Sequence, residues 1–361
     1  MKVLITAPSL DENKNVSGIS TLVSQIIKRG AVEFVHFQAG KEDGEKTDGR
    51  WFFQQLWLVP RFLQMIRREK IDVVHLNTAL APLAIARDFA LAAAARTAGQ
   101  AVVLHLHGGR FLMEEFESRS LASLTEKMFR LASVIVVLSE HEKESLTNRW
   151  KNLDVRILPN AVPVDEISNV ERQSKNVKTI VYLGRLHESK GLFEIIEACR
   201  ILKDEGWTFQ FNCFGAGDLK DFFAAEMAKI LGDKFYYGGV IAGAEKWQQL
   251  AASDVFLLPS RYGEGLPMAM LEAMAASCLV IAADVASVRA VIKDGENGLM
   301  VEPYNAAQVV EKLKFALSSK VGLESLRRNA RITVEEKFAM DDYIQKLENL
   351  YAETLSLHKE R

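Results

Sequence analysis

The stretch Arg261-Tyr262-Gly263-Glu264-Gly265-Leu266-Pro267-Met268-Ala269-Met270-Leu271-Glu272 follows an apolar strand, Val255 to Pro259, and runs into a helix. Glycines permit backbone angles that other residues resist, and Pro267 suits the first position of a helix. Amides at such a helix start can face an anion, so the layout is that of a phosphate-binding strand, loop and helix. The helix itself, from Met268 through Ala276, is apolar on every face except at Glu272. A helix of that kind is buried, and a buried carboxylate is costly unless it is paired or hydrogen-bonded. Glu272 therefore needs a partner. An internal ion pair, for instance with Arg185 or Arg289, would serve, and so would ligand hydroxyls that donate to it.

Outward from this segment, short Val, Ile and Leu-rich runs alternate with helical stretches. The first set is Val3-Ile5, Phe34-Phe37, Val73-Leu76, Val102-Leu106, Val134-Leu138 and Val155-Leu158. After a polar stretch the alternation restarts at Thr179-Leu183, Thr208-Phe214, Lys234-Tyr237, Val255-Pro259 and Leu279-Ala282. Apolar strands separated by helices predict parallel sheets covered on both faces. The chain is thus read as α/β, with two doubly wound Rossmann-like domains facing across a cleft. Residues 1–163 form the first domain, 164–178 a linker and 179–339 the second. Residues 340–361 form a terminal helix expected to return to the first domain.

Composition narrows the classes. At 361 residues the chain suits two cores, and a formal net charge of -2 argues against general attraction to nucleic acid. The three cysteines, Cys199, Cys213 and Cys278, lie far apart in apolar segments. That usage fits core thiols in a reducing compartment, and a cytoplasmic location is expected. The apolar run after Lys2 is too short for a signal peptide, and the tract Ala79 to Ala98 is broken by Pro82, Arg87 and Asp88, so no transmembrane helix is expected.

In open α/β sheets ligands bind at the carboxyl ends of the strands, and the remaining motifs fall in such loops. Gly184-Arg185-Leu186-His187-Glu188-Ser189-Lys190-Gly191 leaves a strand and enters a helix, with two cations able to neutralise a diphosphate. Gly215-Ala216-Gly217 suggests a dinucleotide fingerprint, but Lys220 stands where the third glycine belongs, so it is read as a tight turn near the ligand. His107, after an apolar strand and before Gly108-Gly109, can contact a ligand or simply be a satisfied strand-end histidine; His105 is read as structural. There is no Asp-x-Asp pair and no Cys or His cluster, so no metal and no cofactor are expected.

Residues 51–70, from Trp51 to Lys70, are aromatic, apolar and basic together. Such a helix can lie in a membrane interface with its cations over anionic lipid, or it can cover its own sheet. Arg110, Phe111, Leu112, Met113 and Phe116 could extend the same surface.

Taken together, Gly184-Arg185, Lys190, Gly215-Ala216-Gly217, the two glutamates and the downstream Asp294-Gly295-Glu296-Asn297-Gly298-Leu299 make the chain resemble the family 4 glycosyltransferases of the GT-B fold. The resemblance implies a retaining transfer from a nucleotide-diphosphate sugar, UDP- or GDP-linked, without metal. It implies that Arg185 and Lys190 hold the diphosphate, Glu272 the ribose and Glu264 the sugar hydroxyls, with amides presented from Gly265, Leu266, Pro267 and Met268. His107 is similar to the histidine that contacts the transferring sugar, and Gly18 to a glycine near donor phosphate and acceptor. Where the family has two adjacent glycines, Ser17 precedes Gly18 here. The implied acceptor is a saccharide or lipid-linked saccharide at the inner membrane face, in polysaccharide or glycolipid assembly. A nucleotide-sugar 2-epimerase of the same fold, or a non-catalytic nucleotide-sugar-binding subunit, would carry similar motifs; product analysis separates them.

Overall fold

The computed structural model describes residues 1–11, 15, 17–41, 55–113, 116, 118–167, 178–318 and 322–360. The chain divides into two compact units, Met1–Asn160 with Asp341–Arg361, and Ala161–Met340. Each is built on a six-stranded sheet in which every strand pair is parallel.

In the first unit the strands are β1 (Lys2–Ala7), β2 (Glu33–Gln38), β3 (Val73–Thr78), β4 (Ala101–Leu106), β5 (Val134–Val137) and β6 (Val155–Ile157). Their order is β2-β1-β3-β4-β5-β6. Every residue of β3 and β4 is buried, which is why these strands read as near-continuous apolar runs with no alternation. Helix starts are set by serines: Ser17, Ser118 and Ser139 each accept a hydrogen bond from the amide three residues on. The terminal helix Met340–Lys359 supplies Tyr351, whose hydroxyl lies 2.6 Å from His75 Nδ1 on β3. Glu348 on the same helix accepts from the amide of Ala31 at 2.6 Å.

The second unit carries β7 (Thr179–Leu183), β8 (Gln210–Phe214), β9 (Phe235–Tyr237), β10 (Val255–Leu258), β11 (Leu279–Ala283) and β12 (Leu299–Val301), in the order β12-β11-β10-β7-β8-β9. The strand order reverses between β7 and β10, and the crevice outside the carboxyl ends of two such strands is where doubly wound sheets bind ligands. The loops that leave these two strands are those carrying Arg185 and Lys190, and Glu264. The core includes Tyr182, Phe211 and Phe223, all fully buried.

Three expectations change in detail. The linker assigned to 164–178 begins as a helical turn, Val164–Ile167, and belongs to the second unit, where Trp247 Nε1 donates to Glu166 Oε2 at 3.2 Å; residues 168–177 lie outside the described residues. β12, Leu299–Val301, was not anticipated. Phe111 and Leu112, offered above as membrane-facing, are buried in the first unit's core, with Phe111 stacked on Phe116 at 4.6 Å. Trp51 to Gln54, and the side chains of Arg110 and Met113, lie outside the described residues.

Candidate active site

In the second unit the loops after β7, β8, β9 and β10 interlock through their backbones. The chain leaving β7 receives Phe214 O at the Gly184 amide, 3.1 Å, and Ala216 O at the Leu186 amide, 2.8 Å. Ser189 O accepts from the Arg261 amide at 2.8 Å, and Gly239 O from the Gly215 amide at 2.7 Å. Contact this close excludes side chains. Gly215, at φ 135°, could not carry a Cβ without striking Gly184 O, and Gly191, at φ 73°, would strike Pro259 O. Gly215-Ala216-Gly217 is therefore a tight turn pressed on the β7 loop.

Two tyrosine hydroxyls hold the same loops from beneath: Tyr182 donates to Arg185 O and Tyr237 to Gly215 O, each at 2.7 Å. Burial, with Cys213 and Glu264 nearby, pushes the Tyr182 hydroxyl well above its usual range, so it remains a donor. The first residue of the glycine loop is anchored as well, since Arg261 pairs with the buried Glu194 at 2.9 Å and lies over the rings of Phe193 and Tyr304.

Lys190 ends a short 3-10 turn, Glu188–Lys190, whose start is capped by His187. Its Nζ lies 2.7 Å from Glu264 Oε1, and Ser260 Oγ donates to that same oxygen at 2.6 Å. Glu272, in the helix Met268–Ala275, is paired through Oε1 with Lys246 Nζ at 2.6 Å. The internal ion pair thus exists, but with Lys246 and not with Arg185 or Arg289; Arg289 pairs with Asp284. In both glutamates Oε2 makes no hydrogen bond among the described residues. Each carboxylate is half-satisfied by the protein and keeps one acceptor oxygen for a ligand.

Pro267 sits one position earlier than expected, as the cap of the helix that Met268 opens. The amides of Met268, Ala269 and Met270 precede the first intrahelical bond, which the Leu271 amide makes to Pro267 O. The structure thus gathers Lys190, Gly215, Glu264, Gly265 to Met268 and Glu272 at the carboxyl edge of one sheet. Arg185 lies on the same edge with an exposed side chain. Lys246, Ser260, Tyr182 and Tyr237 were not anticipated.

The first unit holds the other two residues singled out above. Gly18 opens the helix Gly18–Arg29 behind its cap Ser17, and Asn15 Oδ1 accepts from the Ser17 amide at 2.9 Å. His107, just past β4, donates its backbone amide to Thr78 O at 2.8 Å, and its Nε2 lies 2.6 Å from Asn77 Oδ1. Behind it the rings of His105 and His75 follow at centroid distances of 4.1 and 5.4 Å. Burial holds His75 and His107 neutral down to about pH 3 and His105 well below its usual range. The sign of the consequence is fixed. An unfolded histidine binds its proton near pH 6.5, so below that pH the unfolded chain holds more protons than the folded one. Stability contributed by the three rings is complete above pH 6.5 and is lost as the pH falls toward 3, by about 1.4 kcal/mol per pH unit for each ring. Denaturant unfolding of His105→Leu between pH 7 and 5 is expected to show a shallower loss than wild type. Equal slopes would contradict the assignment.

Doubly wound domains with ligand loops at the carboxyl edges of their sheets are the units of the GT-B glycosyltransferases, and comparison with known proteins agrees. Residues 163–333 match the model of "Glycosyl transferases group 1" and residues 27–166 that of "Glycosyltransferase Family 4". The chain belongs to the family 4 glycosyltransferases and has the GT-B fold. Among curated relatives, it is 27% identical over 234 residues to the amylovoran biosynthesis glycosyltransferase AmsK of Erwinia amylovora, covering 56% of each chain. It is 27% identical over 240 residues to the phosphatidyl-myo-inositol mannosyltransferase of Mycobacterium leprae, covering 60% of this chain and 63% of the relative. The chain thus spans less than two thirds of either relative. Among solved structures, HepE of Anabaena in complex with UDP-glucose superposes with a TM-score of 0.77 at 18% identity, over 99% of both chains.

Proposed function

We propose that the protein is a retaining, metal-independent glycosyltransferase that moves a sugar from a UDP- or GDP-linked donor to a saccharide or lipid-linked saccharide, in assembly of a cell-surface polysaccharide or glycolipid. The observation that carries the reading is the pair of half-satisfied glutamates at the edge where the sheet order reverses. Glu264 and Glu272 each have one carboxylate oxygen without a hydrogen bond among the described residues, which suits sugar and ribose hydroxyls, while Lys190, Arg185 and the helix start at Met268 suit a diphosphate. The names of the relatives, a polysaccharide glycosyltransferase and a mannosyltransferase acting on a lipid, and UDP-glucose bound to HepE, support the same class.

In this reading the chemistry is one exchange of bonds. The acceptor oxygen bonds to the anomeric carbon on the face from which the diphosphate leaves, the bond from that carbon to the phosphate oxygen breaks, and the acceptor proton passes to the departing phosphate oxygen. Charge that develops on the leaving group meets Lys190, Arg185 and the amides after Pro267, fixed in advance by the interlocked loops. Among the described residues no group of three or more His, Cys, Asp or Glu is placed to hold a metal ion, and the proposed role of the two cations is to supply the positive charge themselves. Incubation with UDP-, GDP- and ADP-sugars in EDTA, with nucleotide release and products followed, tests the proposal: a new glycosidic bond with retained configuration is expected, whereas an epimerised donor or no turnover would overturn it.

Contact with an anionic membrane surface is part of the proposal. The helix Leu58–Glu69 covers its own sheet through Phe62 and Ile66, and presents Arg61, Arg67 and Arg68 to solvent beside exposed Trp57 and Leu56. Among the described residues no helix is long and apolar enough to cross a membrane. In flotation with vesicles containing phosphatidylglycerol, the wild type is expected to rise with the lipid. Arg67→Glu with Arg68→Glu should weaken binding about tenfold or more, each lost cation being worth about 1 kcal/mol. A wild type that ignores anionic lipid would contradict this part.

A further inference from the structure

Asn77 is a buried polar residue near the end of β3, and its amide is fixed by atoms that leave it no choice of orientation. One end of the side chain lies 2.7 Å from Thr6 O on β1, and a backbone carbonyl can only accept, so that end must be the Nδ2 amide. A flipped amide would press two acceptor oxygens together at hydrogen-bond distance. The Asn77 backbone amide adds a second tie to the same residue, donating to Thr6 Oγ1 at 3.0 Å. The other end is therefore Oδ1, which can also only accept, and it lies 2.6 Å from Nε2 of His107.

We infer that Asn77 is a positioning residue that sets His107 as the Nε2–H tautomer, so that Nδ1 carries the ring's lone pair as acceptor for a sugar hydroxyl. The chain of obligate partners runs from Thr6 O through Asn77 to His107, across β1, β3 and the end of β4. The ring cannot flip without breaking this bond, and the His105 ring, tilted by 34° with its centroid 4.1 Å away, packs against it. Burial keeps the imidazole neutral against the opposing effect of a hydrogen bond with the Asn160 side chain, so only one nitrogen carries a proton and the other keeps its lone pair. A ligand hydroxyl that donates to Nδ1 is thereby distinguished from a carbonyl or phosphate oxygen, which the same nitrogen would repel. The role rests on the reading of His107 as a sugar contact, but the tautomer itself does not.

The test is ring nitrogen NMR of histidine-labelled protein without ligand at pH 7, with the His107 signals identified by their loss in His107→Gln. The Nε2–H tautomer is expected for wild type, and a mixture of tautomers for Asn77→Leu. An Nδ1–H ring in wild type, or an unchanged ring in Asn77→Leu, would overturn the inference. Turnover with the donor selected above supplies the second reading. Asn77→Leu is expected to lower kcat about tenfold with nucleotide affinity unchanged, the effect of one lost hydrogen bond. Full activity of Asn77→Leu beside an impaired His107→Ala would sink the positioning role. Full activity of His107→Ala would sink the sugar-contact reading instead, with the tautomer still decided by the spectra.

Discussion

Lys190→Ala is expected to lower kcat at saturating donor by two to three orders of magnitude, the typical cost of removing one preorganised group that stabilises developing negative charge. The side chain is held where it acts. Its turn is capped by His187, it is followed by Gly191 against Pro259, and its Nζ lies 2.7 Å from Glu264. A second effect accompanies the first, because Glu264 is only 8% exposed at its side chain and would retain, among the described residues, Ser260 as its one hydrogen-bond partner. Leaving a buried carboxylate less well paired costs about 1–3 kcal/mol. Lys190→Arg separates the two, since it keeps a cation for Glu264 but changes the shape presented to phosphate. Near-normal stability with reduced kcat is expected for Lys190→Arg, and loss of both for Lys190→Ala. Steady-state turnover with thermal unfolding measures the pair, and an alanine variant with wild-type kcat would remove Lys190 from the mechanism.

Gly215→Ala is expected to cost about 3–5 kcal/mol of stability in the second domain, large for a single methyl group. Backbone at φ 135° is open to glycine and strained for other residues, and here the added Cβ would strike Gly184 O, a backbone atom already fixed by the β7 loop. Relief would require the β7 and β8 loops to separate, which would also break the hydrogen bond from Leu186 N to Ala216 O. Donor binding should be lost with stability. Gly206→Ala is the control: its φ is 86°, but nothing lies within 4 Å of the added Cβ, so only the backbone strain of about 1 kcal/mol remains. Calorimetric unfolding of the two variants measures the difference, and similar values would mean that the loops are not pressed together.

The strands were legible because a parallel sheet buried on both faces leaves runs such as Val73-Val74 and Leu279-Val280-Ile281 with no polar interruption. The Glu264 segment was legible because one carboxylate stood in a helix with no polar face. What the sequence could not reveal was pairing across elements. Lys246 lies on the helix Gly243–Ala251, and nothing in its own neighbourhood marks it as the partner of a glutamate 26 positions on. Arg185 and Arg289 are cations that the sequence offers equally well, and the geometry selects Lys246. Asn77 did leave a signal, a polar residue near the end of a buried strand, and the same question asked of Glu272 would have found it. Tyr182 and Tyr237 left none: each reads as one more aromatic strand residue until its hydroxyl is seen under a loop carbonyl.

Calorimetric titration of UDP, GDP and ADP into the wild type and into Glu272→Ala, with EDTA throughout, tests the central claim most directly. Metal-free binding of one nucleotide is expected, weakened about tenfold or more by the substitution, since a hydrogen bond to a charged group is worth about 1.5–3 kcal/mol. Binding that is indifferent to Glu272, or no binding of any nucleotide, would make the glutamate segment a structural feature and contradict the account.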